Sequence, residues 1–485
     1  MVKNRNKGSE KTPAKQGSAV VAPEPNKINA FTPFDFSAKN LTAYGGLFPV
    51  ATMLEKLDFQ SLMEDTVTVK RITKVMGGYQ FILAMILGIY IGFSRLSQLS
   101  FIAKDPMLTA ILKITGLPPQ STLWRFLSAL HRSAAQQLLT VQTQMRRRVW
   151  AAANVKLKSV TLDTDTTVHT VYGKQQGARK GYNPKNKGKK SYQPLLTFLA
   201  ETREYVTGEL HNGDRPTGQQ IARHLRSAFQ SLPEGVETIY ARADSGFYCW
   251  EAVEAYQQAG CKFIIVARKT ARLVEKLKTT QWRKPSRDTD ADGQCEFHYQ
   301  PKGWGNSCRF VALRYEKEPE PVKAGAAEQY QLFENGGYTY RVFVTNLEEP
   351  IVLAVWFYNQ RAGAENLIKE ANNDAGLTAH PSRRFDVNAN HFQLAMLAYN
   401  LNCWLMLFNR EPGVGIEAMT HTTLQTARLR FLFVAAKIWR HAGQTGISYS
   451  NHYEERGIFQ RLMARLRTIS AGAPGSVPVI TPALC

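Results

Sequence analysis

Three acidic residues in different local settings are the candidates for chemistry in this chain. Asp165 ends the run SVTLDTD, Asp244 lies in ETIYARADSGF, and Glu365 lies in YNQRAGAENLIKE. The two aspartates follow short apolar stretches rich in β-branched residues, which predict buried strands, whereas the glutamate lies on a predicted helix. Carboxylates from two strand ends and one helix can converge on a pair of divalent cations. Such a pair can cut and join phosphodiesters without a covalent intermediate.

The predicted helix around Glu365 carries further polar side chains at helical spacing. At about 100° per residue, one stripe contains Tyr358, Arg361, Glu365 and Lys369. Trp356 lies on the opposite side, where a core could receive it. The stripe suits a helix that provides one metal ligand and donates hydrogen bonds to neighbouring phosphates. The alternative is a solvated face that carries an i,i+4 pair between Glu365 and Lys369.

These blocks together resemble a known family. LDTDTTVHTVYG, ARADSGFY and the pattern Tyr-x2-Arg-x3-Glu, in that order, are similar to bacterial insertion-sequence transposases of the DDE class. The similar group has a ribonuclease-H-like catalytic domain with a β-rich insertion between its second and third carboxylates, and the resemblance covers roughly residues 150–440. It implies that Asp165, Asp244 and Glu365 are catalytic and bind Mg²⁺, for which Mn²⁺ can substitute. It also implies that the cleaved strand is held by Tyr358, Arg361 and Lys369.

Two features depart from the family pattern or leave it ambiguous. The position where the family usually has a Lys, seven residues after the glutamate, is Asn372, and Lys369 is one turn earlier. Asp163 and Asp165 alternate along one strand and face the same side, so that either could be the first carboxylate. The resemblance favours Asp165, because the family's first Asp is typically followed by a small residue and a Thr, as Asp165 is by Thr166 and Thr167. Asp214, in HNGDRPTG, is a rival for the second position, although turn formation explains it well.

The charge of the chain predicts a polyanionic partner. Its 485 residues include 61 Lys and Arg against 39 Asp and Glu, a formal charge of +22, and the sequence pI is about 9.7. Neutralising phosphates releases counterions and drives binding, so double-stranded DNA is the expected partner, although acidic membranes and ribosomes also attract basic proteins.

The sequence predicts a cytoplasmic, nucleoid-associated bacterial protein with no membrane contact. The six cysteines include no C-x-x-C pair, which favours reduced thiols. Residues 1–30 lack the apolar core of a secretory signal. The most apolar stretch, Phe81 to Phe93, is too short to span a bilayer and predicts a buried helix.

A cationic segment directly follows the first predicted strand. Residues 173–192, GKQQGARKGYNPKNKGKKSY, contain seven Lys or Arg and no acid. A Gly-rich basic hairpin beside the first carboxylate could grip phosphates, although a solvated flexible loop is the alternative. The spacing does not fit a Walker loop, so no nucleotide cofactor is expected. The candidate DNA-binding residues here are Lys174, Arg179, Lys180, Lys185, Lys187, Lys189 and Lys190.

Two further regions are candidates for DNA contact. In ILKITGLPPQSTLWRFLSALHR, a helix ends near Gly116, and Ser121 or Thr122 can cap a second helix that carries Trp124 and Arg125. This spacing resembles a helix-turn-helix, although helical hairpins are also common for structural reasons.

Trp304, in KGWGN, is the second such candidate. It lies on a Gly-flanked loop and could stack on a displaced base, or it could pack on its own sheet.

The fold class that follows is α/β, with a ribonuclease-H-like mixed sheet flanked by helices, interrupted by a β-rich insertion and preceded by an all-α DNA-binding domain. Apolar helices are expected at Phe392–Phe408 and Thr423–His441. The predicted segments are a disordered basic tail at 1–35, the helical domain at 40–150, the first catalytic part at 155–262, the insertion at 263–350, the second catalytic part at 351–445, and a C-terminal helix and tail at 446–485.

The expected function is DNA transposition. The protein would bind the terminal inverted repeats of its element, cleave at the ends by metal-assisted hydrolysis and join the 3′-hydroxyl ends to target DNA. The resemblance further implies that two protomers pair two element ends as a homodimer. The alternatives are a ribonuclease-H-like DNA nuclease and a catalytically inactive, domesticated DNA-binding protein. A Ser/His/Asp hydrolase is disfavoured because none of the ten histidines lies in a recognisable nucleophile–base motif.

Overall fold

The computed structural model describes residues 28–69, 76–286, 289–316, 333–335, 337–411, 415–416 and 421–470. Most of the tail predicted at 1–35, and the last fifteen residues of the predicted C-terminal tail, lie outside these ranges. Residues 28–39 belong to one unit and are exposed to solvent. Residues from Asn40 onward form the second unit, which contains the sheet and the helices.

Helices dominate the first part of the second unit. The bounds are β1 (Leu41–Thr42), α1 (Leu47–Lys56), α2 (Phe59–Thr66), α3 (Gly78–Ile91), a 3₁₀ helix (Leu96–Ile102), α4 (Pro106–Leu112), α5 (Gln120–Ala129) and α6 (Ala134–Ala152). Asp105 caps α4 by accepting from the N–H groups of Met107 and Leu108. The next helix, α5, begins directly after Pro119 and has no side-chain cap, so the predicted capping by Ser121 or Thr122 is wrong.

A mixed sheet of nine strands forms the centre of the molecule. Its strands have the order β10-β11-β13-β9-β8-β2-β6-β7, with β12 paired to β13. Strand β8 runs parallel to both β2 and β9, whereas the other pairings are antiparallel. The predicted mixed sheet flanked by helices is therefore confirmed. The main-sheet strands are β2 (Ser159–Thr166), β6 (Leu195–Leu199), β7 (Tyr205–Glu209), β8 (Thr238–Ala243), β9 (Lys262–Val266), β10 (Gly293–Tyr299), β11 (Cys308–Glu316), β12 (Phe333–Asn335) and β13 (Tyr338–Thr345).

Shorter elements connect these strands. A separate three-stranded sheet lies between β2 and β6 in sequence, with the order β3-β5-β4. Its strands are β3 (His169–Thr170), β4 (Arg179–Lys180) and β5 (Lys190–Tyr192), and the helices that follow are α7 (Gly218–Gln230), α8 (Trp250–Gln258) and α9 (Ala271–Thr279).

The β-rich segment predicted at 263–350 continues the main sheet. Strand β9, which the sequence places at the start of that segment, lies parallel beside β8, so it belongs to the same parallel group as β2. Strands β10 to β13 then extend the sheet beyond β9 through antiparallel pairing. An apolar run such as KFIIV does not distinguish between these two positions, because both are buried.

The C-terminal part covers the sheet and packs on the first helices. Its elements are α10 (Ile351–Asn359), α11 (Ala362–Asn373), α12 (Phe385–Asn409), α13 (Leu424–Ala427), a π-helical turn (Arg428–Leu432), β14 (Ala436–His441), β15 (Gln444–Tyr449) and α14 (Arg456–Thr468). Helix α12 is buried along most of its length and packs against α3, α6 and β7. The helix predicted at Thr423–His441 is wrong in its second half, which forms β14 and pairs with β1 and β15.

A buried charge network joins the helices to the sheet. Glu204 precedes β7 and accepts from Arg146 Nε at 3.1 Å and from the indole N–H groups of Trp150 and Trp404, each at 2.8 Å. Arg146 and Glu204 are fully buried. Because every polar atom of the carboxylate is paired, this ion pair fixes how α6 and α12 pack against the sheet.

Within the described ranges, no single helix has the length and hydropathy needed to cross a membrane. In these ranges, only α3 and the 3₁₀ helix Leu96–Ile102 taken together have that length and hydropathy, and the chain bends by 87° between the two.

Candidate active site

The parallel pairing of β2 and β8 brings Asp165 and Asp244 side by side. The register pairs Thr164 with Ala243, so the next residue on each strand is one of the two aspartates. Asp244 directly follows β8, and its Oδ1 accepts the N–H of Gly246 at 2.9 Å in the short 3₁₀ turn Ser245–Phe247. Parallel strands end at the same edge of a sheet, so this edge carries two adjacent carboxylates.

The two carboxylates influence each other electrostatically. Burial, and then the negative charge of Asp165, raise the pKa of Asp244 to about 6. The positive charge of Arg361 and the N–H of Gly246 oppose that rise. Because burial and the neighbouring carboxylate both disfavour the charged form of Asp244, the pair gains from an added cation.

Arg361 supplies one positive charge to this pair. Its Nη2 lies 2.7 Å from Asp165 Oδ2 and 3.4 Å from the carbonyl oxygen of Thr164. Burial disfavours the charged guanidinium, but the surrounding carboxylates, chiefly Asp165, outweigh burial and raise the pKa of Arg361 above its ordinary value. Its Nε is buried and has no hydrogen-bond partner among the described residues. The arginine therefore stays charged, with its hydrogen bonding only partly satisfied.

Asp163, the alternative first carboxylate, is occupied by a different arginine. Arg242 donates to both of its oxygens, from Nε at 2.6 Å and from Nη2 at 2.7 Å. The remaining nitrogen, Nη1, donates to the carbonyl oxygen of Phe357 at 3.0 Å. Asp163 is only 2% exposed, whereas the side chain of Asp165 is 16% exposed. Of the two, Asp165 is thus the carboxylate that a ligand can reach.

Glu365 lies in the first turn of α11 and is half-buried. Its side chain forms no hydrogen bond or ion pair with any residue that the structure describes. Among those residues, no three His, Cys, Asp or Glu side chains lie close enough together to hold a metal ion. Asp165 and Asp244 fit a divalent cation by their chemistry and proximity, while the third carboxylate stands apart from them.

The single polar stripe predicted from Tyr358 to Lys369 is wrong, because the helix is interrupted. Helix α10 ends at Asn359 and α11 begins at Ala362, with Arg361 in the turn between them. Tyr358 is buried with its ring 4.8 Å from that of Phe343. Neither Tyr358 nor Arg361 therefore presents an open surface to a DNA strand.

Two other residues of this segment, Lys369 of the predicted stripe and Trp356 of the opposite side, face solvent. Trp356 is 59% exposed, so its predicted place in the core is wrong, and Lys369 is also exposed. The break in the helix changes the direction of every side chain beyond it relative to those before it.

Comparisons with known proteins identify the family of this chain. The family model described as "Transposase DDE domain group 1" matches residues 29–471. The chain belongs to the DDE transposases. Among solved structures, a piggyBac transposase in a cryo-EM synaptic complex with hairpin DNA is similar at 11% sequence identity, with 90% of this chain and 87% of that chain covered and a TM-score of 0.39. No curated protein matches the chain.

Two arginines beside the second carboxylate of this transposase were missed in the sequence analysis. Arg215 Nη2 donates to the carbonyl oxygen of Gly246 at 3.0 Å, and Arg268 Nη2 donates to that of Ser245 at 2.9 Å. Both hold the 3₁₀ turn that begins at Asp244. One feature of the sequence could have indicated Arg215: it directly follows Asp214, the rival second carboxylate.

Asn372, at the position where the family usually has a Lys, is a structural link. Its Oδ1 lies 2.9 Å from His169 Nε2, and its Nδ2 donates to Thr167 Oγ1 at 3.3 Å. These bonds join the end of α11 to the chain that leaves β2. This position therefore carries a neutral amide that links α11 to the chain after β2, where a lysine would carry a positive charge.

The cationic segment forms the small sheet of β3, β4 and β5. Its seven predicted DNA-binding residues, Lys174, Arg179, Lys180, Lys185, Lys187, Lys189 and Lys190, are all exposed. Arg179 forms an ion pair with Asp214, the rival second carboxylate, which lies outside the cluster of Asp165 and Asp244. The other six cations are lysines that point into solvent beside the first carboxylate strand.

Trp304 is not exposed. Only 9% of it is accessible, and its ring lies 5.0 Å from that of Tyr248 and 6.1 Å from that of Trp250. It packs on its own sheet, so it is not placed to stack on a base in this structure.

Trp124 and Arg125 lie on the exposed side of α5, where Trp124 is 43% accessible. Arg125 Nη2 donates to Thr122 Oγ1 at 3.0 Å within the same helix. Both remain available for an external contact.

Proposed function

We propose that this transposase binds the terminal inverted repeats of a bacterial insertion sequence, cleaves at their ends and joins the freed 3′-hydroxyls to target DNA. The observation that carries the proposal is the adjacency of Asp165 and Asp244 at the ends of two parallel strands. The raised pKa of Asp244 and the family match support it. The order β7-β6-β2-β8-β9, in which only β6 runs against the direction of the other four strands, supports a ribonuclease-H-like core.

The donor set suits a hard divalent cation, Mg²⁺ or Mn²⁺. Asp165 and Asp244 would hold it, because both offer carboxylate oxygens at one accessible edge. Glu365 would complete the ligand set if the first turn of α11 approached the two aspartates. When bound, the cation lowers the pKa of a water and stabilises the leaving oxygen.

The chain's own residues position the reacting strand. The open edge beside Asp165 receives the phosphodiester, and the lysines of the small sheet neutralise neighbouring phosphates. In the first step a water oxygen forms a bond to phosphorus and the bond to the 3′ oxygen breaks, which leaves a 3′-hydroxyl. In the second step that hydroxyl attacks a target phosphorus and displaces a target 3′ oxygen. The first step replaces the ester bond to the 3′ oxygen with a bond between phosphorus and the water oxygen, and the proton that the water loses balances the one that the 3′ oxygen gains. The second step replaces one phosphoester bond with another, so neither step needs ATP.

Arg361 is best described as a positioning residue for Asp165. Two members of the Tyr-Arg-Glu signature, Tyr358 and Arg361, would then act from the protein interior, where both are buried. The third member, Glu365, would act from α11. Lys369, exposed one turn further on, is the member of the signature that is placed to contact a phosphate.

Double-stranded DNA is the proposed partner, as element ends and as target, and two copies of the chain would pair two ends. The formal charge of +22 supports a polyanion, and Trp124 and Arg125 on α5 offer an exposed surface for end recognition. A cytoplasmic, nucleoid-associated location fits the same partner.

The test is cleavage of duplex DNA that carries the inverted repeats flanking the gene. Wild-type protein is compared with Asp165→Asn and Asp244→Asn, with Mg²⁺ and with EDTA. The matched control is Asp214→Asn, which removes an acid outside the carboxylate pair. We expect metal-dependent cuts at the repeat boundary that both active-site variants lose and the control retains.

Other outcomes would overturn the proposal. Cuts at positions unrelated to the repeats would indicate a ribonuclease-H-like nuclease. Specific binding of the repeats by wild-type protein without any cut would indicate an inactive DNA-binding protein. Full cleavage by Asp244→Asn would show that the carboxylate pair is structural.

A further inference from the structure

The small sheet directs two chain segments out of the fold at the same end. Thr170 on β3 and Arg179 on β4 both pair with Ser191 of the central strand β5, so β3 and β4 run in the same direction. Two residues beyond the end of β3 is Tyr172, and two residues beyond the end of β4 is Tyr182. Across two strand spacings, the segments that carry these tyrosines leave the sheet on the order of 10 Å apart.

Both tyrosines are exposed to an unusual degree for aromatic residues. Tyr172 is 81% accessible and Tyr182 is 68% accessible. A ring of this size is ordinarily at least half-buried, because burial of its apolar surface stabilises the fold. Two such rings on one small sheet indicate a surface that another molecule covers.

The backbone beneath the rings is held firmly. Gln193 Nε2 donates to the carbonyl oxygen of Tyr182 at 3.0 Å, and the N–H of Val171 donates to the carbonyl oxygen of Lys190 at 2.9 Å. Gly181 lies so close to the chain at Gly213 that a Cβ on it would collide with the carbonyl oxygen there. The rings are therefore presented from fixed positions, which lowers the entropy lost on binding.

The charge around the rings identifies the chemistry of the occupant. The segment 173–192 holds seven cations and no acid, and six of those cations are exposed lysines without an ion pair to any described residue. Aromatic rings interleaved with lysines bind unpaired nucleic acid, since bases stack on the rings while the lysines follow the phosphates. Bases inside a duplex are already stacked and do not offer their faces.

We infer that Tyr172 and Tyr182 stack on unpaired bases of the DNA strand that enters the site beside Asp165. The inference rests on the proposed function and adds to it a class of substrate, single-stranded nucleotides next to the cleavage point. The small sheet adjoins the first carboxylate strand directly, because β3 begins three residues after β2 ends.

The test is the affinity of the full chain for fluorescein-labelled oligonucleotides, single-stranded or annealed as a blunt duplex, measured by fluorescence anisotropy. The variants are Tyr172→Ala/Tyr182→Ala and the ring-preserving Tyr172→Phe/Tyr182→Phe. Phe101→Ala is the matched control, because Phe101 is 80% accessible but lies in the 3₁₀ helix Leu96–Ile102. Thermal melting of each variant checks that it is folded.

The double alanine variant is expected to lose affinity for the single strand at least about tenfold, with duplex affinity changed less than about twofold. The double phenylalanine variant and Phe101→Ala are expected to bind both DNAs as the wild type does. Unchanged single-strand affinity in the alanine variant would overturn the inference, and so would an equal loss on both DNAs. Failure of the proposed function is distinguishable, since it appears as wild-type protein that does not cleave repeat ends.

Discussion

Arg361 Nη2 lies 2.7 Å from Asp165 Oδ2, and this ion pair ties the turn between α10 and α11 to the carboxyl end of β2. The guanidinium also acts on Asp244, whose pKa it lowers against the effect of burial. One arginine thus compensates part of the charge of two neighbouring carboxylates. Under the proposed function, the affinity of Asp165 and Asp244 for a cation would therefore depend on Arg361, which is not itself a ligand.

Replacing Arg361 with Gln is expected to increase the response of the protein to divalent cations. Without the guanidinium, Asp165 and Asp244 repel each other without compensation, so the folded state gains more from an added cation. The rise in melting temperature on adding Mg²⁺ should be larger for Arg361→Gln than for wild type. The control is Arg179→Gln, which removes the partner of Asp214; equal Mg²⁺ shifts in all three proteins would contradict this role.

Asp163→Asn is expected to destabilise the fold without removing a metal ligand. It leaves Arg242 buried with an uncompensated charge, which costs roughly 3–5 kcal/mol. Asp165→Asn should cost less than about 2 kcal/mol, because Asp165 is partly exposed and Asp244 remains beside Arg361. Urea unfolding of the two variants measures the difference. An Asp163→Asn protein as stable as wild type would show that the Arg242 pair is not structural.

The stability of the fold is expected to fall as the pH falls from about 6.5 towards 4. Burial lowers the pKa of four histidines, to about 4 for three of them and about 3 for the fourth, so the unfolded chain binds more protons in this range. Four carboxyl groups act in the opposite sense, since burial raises their pKa values and lets the folded state bind a proton first, so they reduce the fall in stability that the histidines cause. These groups are Asp163, Glu201, Asp244 and Asp374. The histidines are His169, His224, His391 and, with the lowest value, His380.

Melting temperatures across this pH range measure the effect, and His224→Gln tests its origin. His224 Nε2 lies 2.7 Å from Thr197 Oγ1, and Gln keeps a polar partner there without a titrating group. As the pH falls, the free energy of unfolding should decrease less steeply for the variant than for wild type. The two slopes should differ by at most about 1.4 kcal/mol per pH unit. A slope identical to that of wild type would show that His224 does not contribute.

Gly181→Ala is expected to disturb the small sheet, because its Cβ would collide with the carbonyl oxygen of Gly213. The variant should melt at a lower temperature and bind DNA more weakly. The control is Gly363→Ala in the first turn of α11, where a Cβ meets no atom within 4 Å. That change should stabilise the protein by up to about 1 kcal/mol, because alanine favours helix. Equal melting temperatures for the two variants would contradict the close approach at Gly181.

Much of the central sheet could be predicted from the sequence. The runs that end in Asp165 and Asp244 do form strands, since β-branched residues favour the pleated surface of a sheet. The helix that carries Glu365 could also be predicted, from its spacing and from the absence of Pro. The excess of basic residues indicates a polyanionic partner by itself, because net charge depends on composition and not on how the chain folds.

The choice between Asp163 and Asp165 depended on the tertiary structure. Both alternate along one strand, so periodicity alone leaves them equivalent. The register of β8 places Arg242 beside Asp163, and the turn before α11 places Arg361 beside Asp165. The break at Arg361 was equally invisible to periodicity, because Gln360 and Arg361, the two residues between the helices, both have good helix propensity.

Residue types and their local order therefore determined which side chains could do chemistry and which strands would carry them. The tertiary structure decided which of them meet, which are neutralised by buried arginines and which remain exposed, as Tyr172 and Tyr182 do. The physical reason is that propensity and periodicity act over a few residues, whereas ion pairs and burial depend on groups distant in sequence that only the folded chain brings together.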